Sequence, residues 1–182
     1  MLDLLITNGM IVDGTGNPGF YGAVAVTGDE VEIVRGDVSQ VQAARTIDAS
    51  GKVVCPGFID MHAHSGLVIL SEPLHEPKVR QGVTTELIGV DGNSYAPFHR
   101  HEDFLQFVEL NSGLDGNPPL PGRWSSVAEY LDMFDSKVSV NIAYIIGNSP
   151  IRICVMGWED RPATVADIQN MRALLREGME EG

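Results

Sequence analysis

The sequence predicts an α/β fold in two parts: short strands up to about residue 56, then a parallel sheet made by strand–helix repetition. Three observations predict it. Turn dipeptides cut the opening into short apolar runs, strand-like and helical stretches alternate after Pro56-Gly57, and the last segment pairs a helical apolar spacing with a capping signal.

The first part takes its elements from its turns. "LDLLITNGMIV" is two strand-like runs split by Asn8-Gly9, the strongest short hairpin signal. "GAVAVTGDEVEIV" repeats the pattern at Gly28-Asp29, and "RTIDASGKVVCPG" repeats it at Ser50-Gly51. Small strands of this kind need a second sheet over their apolar face.

Beyond Gly57 the period lengthens. "GFIDM" is a nearly continuous apolar run, as expected of a strand covered on both faces. A helical stretch around 73–81 precedes a second strand, "VTTELIG", at 83–89. Two polar-rich helical stretches then lead to a third strand, "VNIAYIIG", at 140–147, with 111–123 (Pro118, Pro119 and Pro121) read as a long loop. The closing segment 164–181 sets Val165, Ile168, Met171, Leu175 and Met179 at helical spacing, and Thr164 with Asp167 forms a capping box.

Composition narrows the function classes. Of 182 residues, 43% are hydrophobic, so a packed core forms without staples. Twelve basic against 25 acidic residues give a net charge of −13, which argues against nucleic acid and against an anionic membrane surface. No run reaches the length of a membrane span, and "MLDLLITNG" lacks the basic flank and cleavage pattern of a signal peptide. Cys55 and Cys154 lie in apolar strand-like runs and read as buried, reduced thiols of a cytoplasmic protein.

Two His-x-His pairs stand out. His62 and His64 follow the apolar run from Phe58; alternate positions on a strand face one way, so both imidazoles would sit at a strand's carboxyl end, where α/β sites are built. Two neighbouring imidazoles suit zinc, although two donors do not by themselves make a site. His99 and His101, in "FHRHEDF", have no strand before them and read as structural residues on a solvated loop or helix start.

"PGFIDMHAH" behind a small-strand section resembles the barrel opening of the amidohydrolase superfamily, and "DLLITNGMIVDGTGNP" resembles the strand pair that begins many such hydrolases. "KVRQGVTTELIGVDGNSYAP", "GRWSSVAEYLDMFD", "VNIAYIIGNSPIR" and "VMGWEDRPATVADIQNMRALLREGMEEG" together resemble the N-acyl-D-amino-acid deacylases, along nearly the whole chain.

The resemblance implies part of a small β-sandwich over 1–56. It implies the first three βα units of a (β/α)8 barrel over 57–182. The implied reaction is metal-dependent hydrolysis of an N-acyl-D-amino acid to a carboxylate and a free D-amino acid. One or two Zn2+ ions would polarise the amide and bring a water's pKa to about 7. His62 and His64 map to the first-strand ligands. Asp91 stands where well-known members carry a metal-binding cysteine, and it either holds or bridges a metal or braces its own loop through backbone amides.

Two further departures are Gly66, where relatives often have an acidic residue, and Gly147-Asn148, where they often read Gly-His. Asn148 and Arg152 follow the third strand and are candidate substrate contacts, with a loop-anchoring salt bridge the favoured reading for Arg152. The family's further histidine ligands and its general base are expected beyond Gly182, so the chain reads as an N-terminal fragment, inactive alone. A cyclic-amide hydrolase and a non-catalytic scaffold are the alternatives.

Overall fold

Alternation in the opening runs makes strands, and the turn dipeptides mark where one strand ends and the next begins. The computed structural model describes all 182 residues, which divide into two units, Met1–Pro56 and Gly57–Gly182. The first unit contains β1 (Leu2–Thr7), β2 (Met10–Ile11), β3 (Phe20–Tyr21), β4 (Ala23–Thr27), β5 (Glu30–Val34), β6 (Ala43–Asp48) and β7 (Val53–Val54). They form two sheets, in the orders β5-β4-β1-β6 and β3-β2-β7.

Gly28-Asp29 closes the expected hairpin, with Thr27 opposite Glu30. Asn8-Gly9 and Ser50-Gly51 do not. β1 lies parallel to β6 and β2 parallel to β7, so each dipeptide is a corner that carries the chain from one sheet to the other. The corners are tied together: Asn8 Nδ2 donates to Asp48 Oδ1 at 2.9 Å. A Cβ at Gly9 would stand 2.6 Å from Val54 Cγ2, so the approach needs a glycine. Leu5, Ala23 and Ala25 form the small core of this unit. Cys55, expected to be buried, is exposed because it lies just past the two-residue strand β7; both cysteines are unpaired.

The second unit runs β8 (Phe58–Asp60), α1 (Val68–Ser71), α2 (Glu76–Val79), β9 (Val83–Ile88), a 3-10 turn (Val90–Gly92), α3 (His101–Asp115), α4 (Val127–Leu131), β10 (Asn141–Tyr144), α5 (Asn148–Met156) and α6 (Val165–Glu181). Its three strands are parallel, in the order β10-β9-β8, the arrangement that strand–helix repetition predicts.

Helices cover one face of this sheet. Ile88 is buried there with an aromatic layer that includes Phe98, Phe104, Phe107, Trp124 and Tyr130. Three local expectations change. β8 is an edge strand paired only with β9, so Phe58 and Ile59 are 58% and 61% exposed, not covered on both faces. α3 continues to Asp115, which shortens the expected 111–123 loop at its start. Cys154 lies in α5, a helix, and is half-buried. No helix is long and apolar enough to cross a membrane.

The capping box forms as expected: Asp167 N donates to Thr164 Oγ1 at 3.2 Å and Thr164 N donates to Asp167 Oδ2 at 2.8 Å. The Arg161 guanidinium, with the Thr164 bonds behind it, holds the Asp167 carboxyl well below the usual carboxylate range. The packed face of α6 is rotated from the apolar stripe, however. Leu174 and Gly178 are buried while Val165, Ile168, Leu175 and Met179 are exposed. Gly178 explains the rotation, because a Cβ there would meet Ile146 Cδ1 at 2.7 Å and Val127 Cγ2 at 3.0 Å. Replacing Thr164 by Ala should lower stability by about 1 kcal/mol and Thr164→Ser by much less, read from denaturation midpoints.

Candidate metal centre

β8 ends at Asp60, so His62 and His64 lie on the bend after the strand and not on the strand itself. They converge nonetheless, with ring centroids 5.3 Å apart and planes tilted by 55°. Hydrogen bonds below the bend hold it. His62 N donates to Asp60 Oδ1 at 3.1 Å, Asp60 pairs with Lys78, and Ser65 donates to Glu86. Glu86, on β9, is fully buried and also meets His75 Nε2 and Lys78 Nζ, each at 3.1 Å.

Burial pushes the Glu86 carboxyl up, but the bonds from Ser65, His75 and Lys78 outweigh it and leave the carboxyl below its ordinary range. Burial likewise pushes the Lys78 ammonium down, and its two carboxylates outweigh that and raise it.

Asp91 arrives from the loop after β9. Gly89 (φ +83°) turns the chain there, and Asp91 itself is left-handed at φ 58°, ψ 19°. The loop is pinned to the end of β10: Gly147 N donates to Ser94 Oγ at 2.8 Å, and the Tyr144 hydroxyl donates to Ala96 O at 2.6 Å. The Asp91 carboxylate turns toward the imidazoles, with Oδ2 3.0 Å from His62 Nε2 and 3.3 Å from His64 Nε2. One ligand atom from each of the three residues lies within 4.8 Å of the others. Two imidazole nitrogens and a carboxylate oxygen at that spacing fit a single divalent ion bound at ~2.0–2.2 Å.

Behind His64 stands a group that the sequence did not single out. Asp115, the last residue of α3, places Oδ1 2.8 Å from His64 Nδ1 and accepts the Tyr95 hydroxyl at 2.5 Å on Oδ2. Burial and then the Asp115 charge push the Tyr95 hydroxyl well above its ordinary pKa, so it stays a donor. In the sequence Asp115 falls in 111–123, which reads as loop, and Glu86 and His75 are lone polar residues beside a strand, which carry no pattern. Gly66 is explained by packing: a Cβ there would meet the Tyr130 hydroxyl at 2.6 Å, and that hydroxyl donates to Gly66 O at 2.9 Å.

The remaining candidates have other partners. Arg152 donates to the carbonyls of Arg161 at 2.7 Å and Glu159 at 3.3 Å. Asn148 is exposed at the start of α5, against Gly92. His99 is exposed, and His101 stacks on Phe104 at the start of α3.

Comparison with known proteins follows the same lines. The amidohydrolase family pattern matches residues 45–181. The chain is 35% identical over 190 residues to a D-aminoacylase of Alcaligenes xylosoxydans xylosoxydans, covering 99% of this chain and 36% of that protein. It is 34% identical to an N-acyl-D-aspartate deacylase of the same organism, covering 99% of this chain and 35% of the relative. A solved D-aminoacylase with a binuclear metal centre superposes with a TM-score of 0.81 at 35% identity, over all of this chain and 37% of that one. An N-acyl-D-glutamate deacylase from Bordetella bronchiseptica, solved with zinc and a phosphonate mimic of the tetrahedral intermediate, gives a TM-score of 0.83 at 31% identity, over 98% of this chain and 36% of its own. The chain thus spans a little over a third of the length of these relatives.

Proposed function

Because this chain belongs to the amidohydrolase family, we propose that it carries the metal-binding opening of an N-acyl-D-amino-acid deacylase, with His62, His64 and Asp91 holding one zinc ion. The observation that carries this reading is the convergence of the three side chains on one point from two separate loops. On the same reading, the parallel strands β8, β9 and β10 begin a (β/α)8 barrel and residues 1–56 contribute part of a β-sandwich.

Bound zinc would supply Lewis-acid polarisation of the scissile amide and acidification of a water. The chain's own residues set where that chemistry happens. The braced bend fixes both imidazoles, and the glycine turn at 89 delivers Asp91. The similarity to deacylases of D-aspartate and D-glutamate derivatives supports a small N-acyl-D-amino acid as substrate. Asn148, beside the Asp91 loop, is our candidate for a polar contact to it, and Arg152 is assigned to anchoring the 159–161 loop. Two unpaired cysteines fit a reducing compartment such as the cytoplasm.

Zinc analysis of the dialysed 182-residue chain tests the reading. One zinc per chain, lost when His62 and His64 are both replaced by alanine, is the expected result. A folded chain that takes up no zinc overturns the reading and leaves the scaffold alternative. In an intact homologue, faster release of free amino acid from N-acetyl-D-amino acids than from their L counterparts, with no ring opening of hydantoin, would assign the substrate class.

A further inference from the structure

We propose that Asp115, held by Tyr95, is a positioning residue that fixes His64 in its Nδ1–H tautomer and so leaves Nε2 as the lone-pair donor facing the metal position. The proposal deepens the zinc reading above and rests on it for its purpose.

A neutral imidazole has one N–H, and His64 has a carboxylate at each of its nitrogens. Nδ1 lies 2.8 Å from Asp115 Oδ1, while Nε2 lies 3.3 Å from Asp91 Oδ2. A single proton cannot serve both, and the shorter contact holds it. Burial works in the same direction, because the Asp115 side chain is 2% exposed and that of Asp91 is 54% exposed. Of the two contacts, the one to Asp115 is the hydrogen bond, and it is shielded from water. Asp91 Oδ2 is also shared with His62 Nε2 at 3.0 Å.

Asp115 has no freedom to turn away. Its second oxygen takes the Tyr95 hydroxyl at 2.5 Å. Tyr95 is itself fixed: its carbonyl accepts from Trp124 Nε1 at 2.7 Å, and its ring stands edge-on to Phe104 and Phe107. The opposite tautomer would put a hydrogen where the metal must bind, since imidazole ligates only through a lone pair. Carboxylates behind a ligating histidine contribute about 10–100-fold to metal affinity.

The tautomer is read directly from 15N spectra of the histidine-labelled, metal-free full chain at mildly alkaline pH. His64 is assigned by its loss in His64→Gln. The expected result is a proton on Nδ1 of His64. Asp115→Asn should shift the ring toward the Nε2–H form and weaken zinc binding about 10–100-fold by chelator competition. Tyr95→Phe, which keeps the carboxylate, should weaken zinc binding less. A proton on Nε2 of His64 in the unchanged chain overturns the proposal, as does a folded Asp115→Asn chain that binds zinc as tightly as the original. Because the tautomer is read without zinc and with Asp115 in place, it decides the proposal even if Asp115→Asn fails to fold. It also decides it if the chain takes up no zinc, the result that defeats the metal reading instead.

Discussion

Glu86→Ala should destabilise the Gly57–Gly182 unit by about 3–5 kcal/mol, the cost of removing one partner from a buried charge cluster. The side chain is 0% exposed and serves Ser65, His75 and Lys78 at once. Its removal leaves His75 (9% exposed) and Lys78 (28% exposed) without their shared carboxylate. Lys78 keeps Asp60 and some water, so the loss should fall toward the low end of that range. Glu86→Gln, which retains the shape and part of the bonding, should cost less. Urea denaturation followed by circular dichroism gives both values.

The network also predicts a pH signature. The Glu86 carboxyl is held below its ordinary value, so its contribution is complete above about pH 4.3 and is lost as pH falls through the folded value. Lys78 is raised, so its contribution is complete below about pH 10.4 and is lost as pH rises through its folded value. Stability against pH should therefore fall at both ends, and Glu86→Ala should flatten the acid limb. A mutant with an unchanged acid limb would mean that folding leaves the Glu86 carboxyl titrating as it does in the unfolded chain.

This cluster shows which features a single sequence reveals. Patterns that repeat were legible: βα alternation gave three parallel strands, and Thr164 with Asp167 gave the start of α6. The histidine pair was legible because two residues of one type sit on one short bend. Asp115 and Glu86 were not. Each is one acid among 25, and each matters through partners elsewhere in the chain, the farthest being His64, 51 residues from Asp115, and Ser65, 21 residues from Glu86. The Asn8-Gly9 corner misled for a related reason. A turn dipeptide specifies local backbone geometry, whereas the choice between a hairpin and a change of sheet depends on Ala49 and Val54, which pack against Gly9 from 40 and more residues away. The stripe on α6 misled because the packed face of a helix follows the closest approach, here at Gly178, as much as it follows hydrophobicity.

Gly89→Ala should be the most damaging single methyl in the metal-binding region. The residue has φ +83°, where a side chain costs about 1–2 kcal/mol. The new Cβ would also stand 2.0 Å from Ile145 O, a backbone atom that cannot rotate aside. Relief requires β9 and β10 to part or the loop to shift, which adds about 1–3 kcal/mol as in other overpacked sites. Gly157→Ala is the contrast: nothing lies within 4 Å of its would-be Cβ, and its φ of 64° and ψ of −152° fall in a region essentially confined to glycine, so its cost is backbone strain without a clash. That variant should show the backbone cost alone. The functional consequence separates them further, because Asp91 lies two residues past the forced turn. Gly89→Ala should weaken zinc binding even where it remains folded at low temperature, and Gly157→Ala should bind zinc as the original chain does. A Gly89→Ala chain that binds zinc as tightly as the original would show that the loop yields freely, and the position of Asp91 would then owe nothing to the close approach of Gly89 to β10.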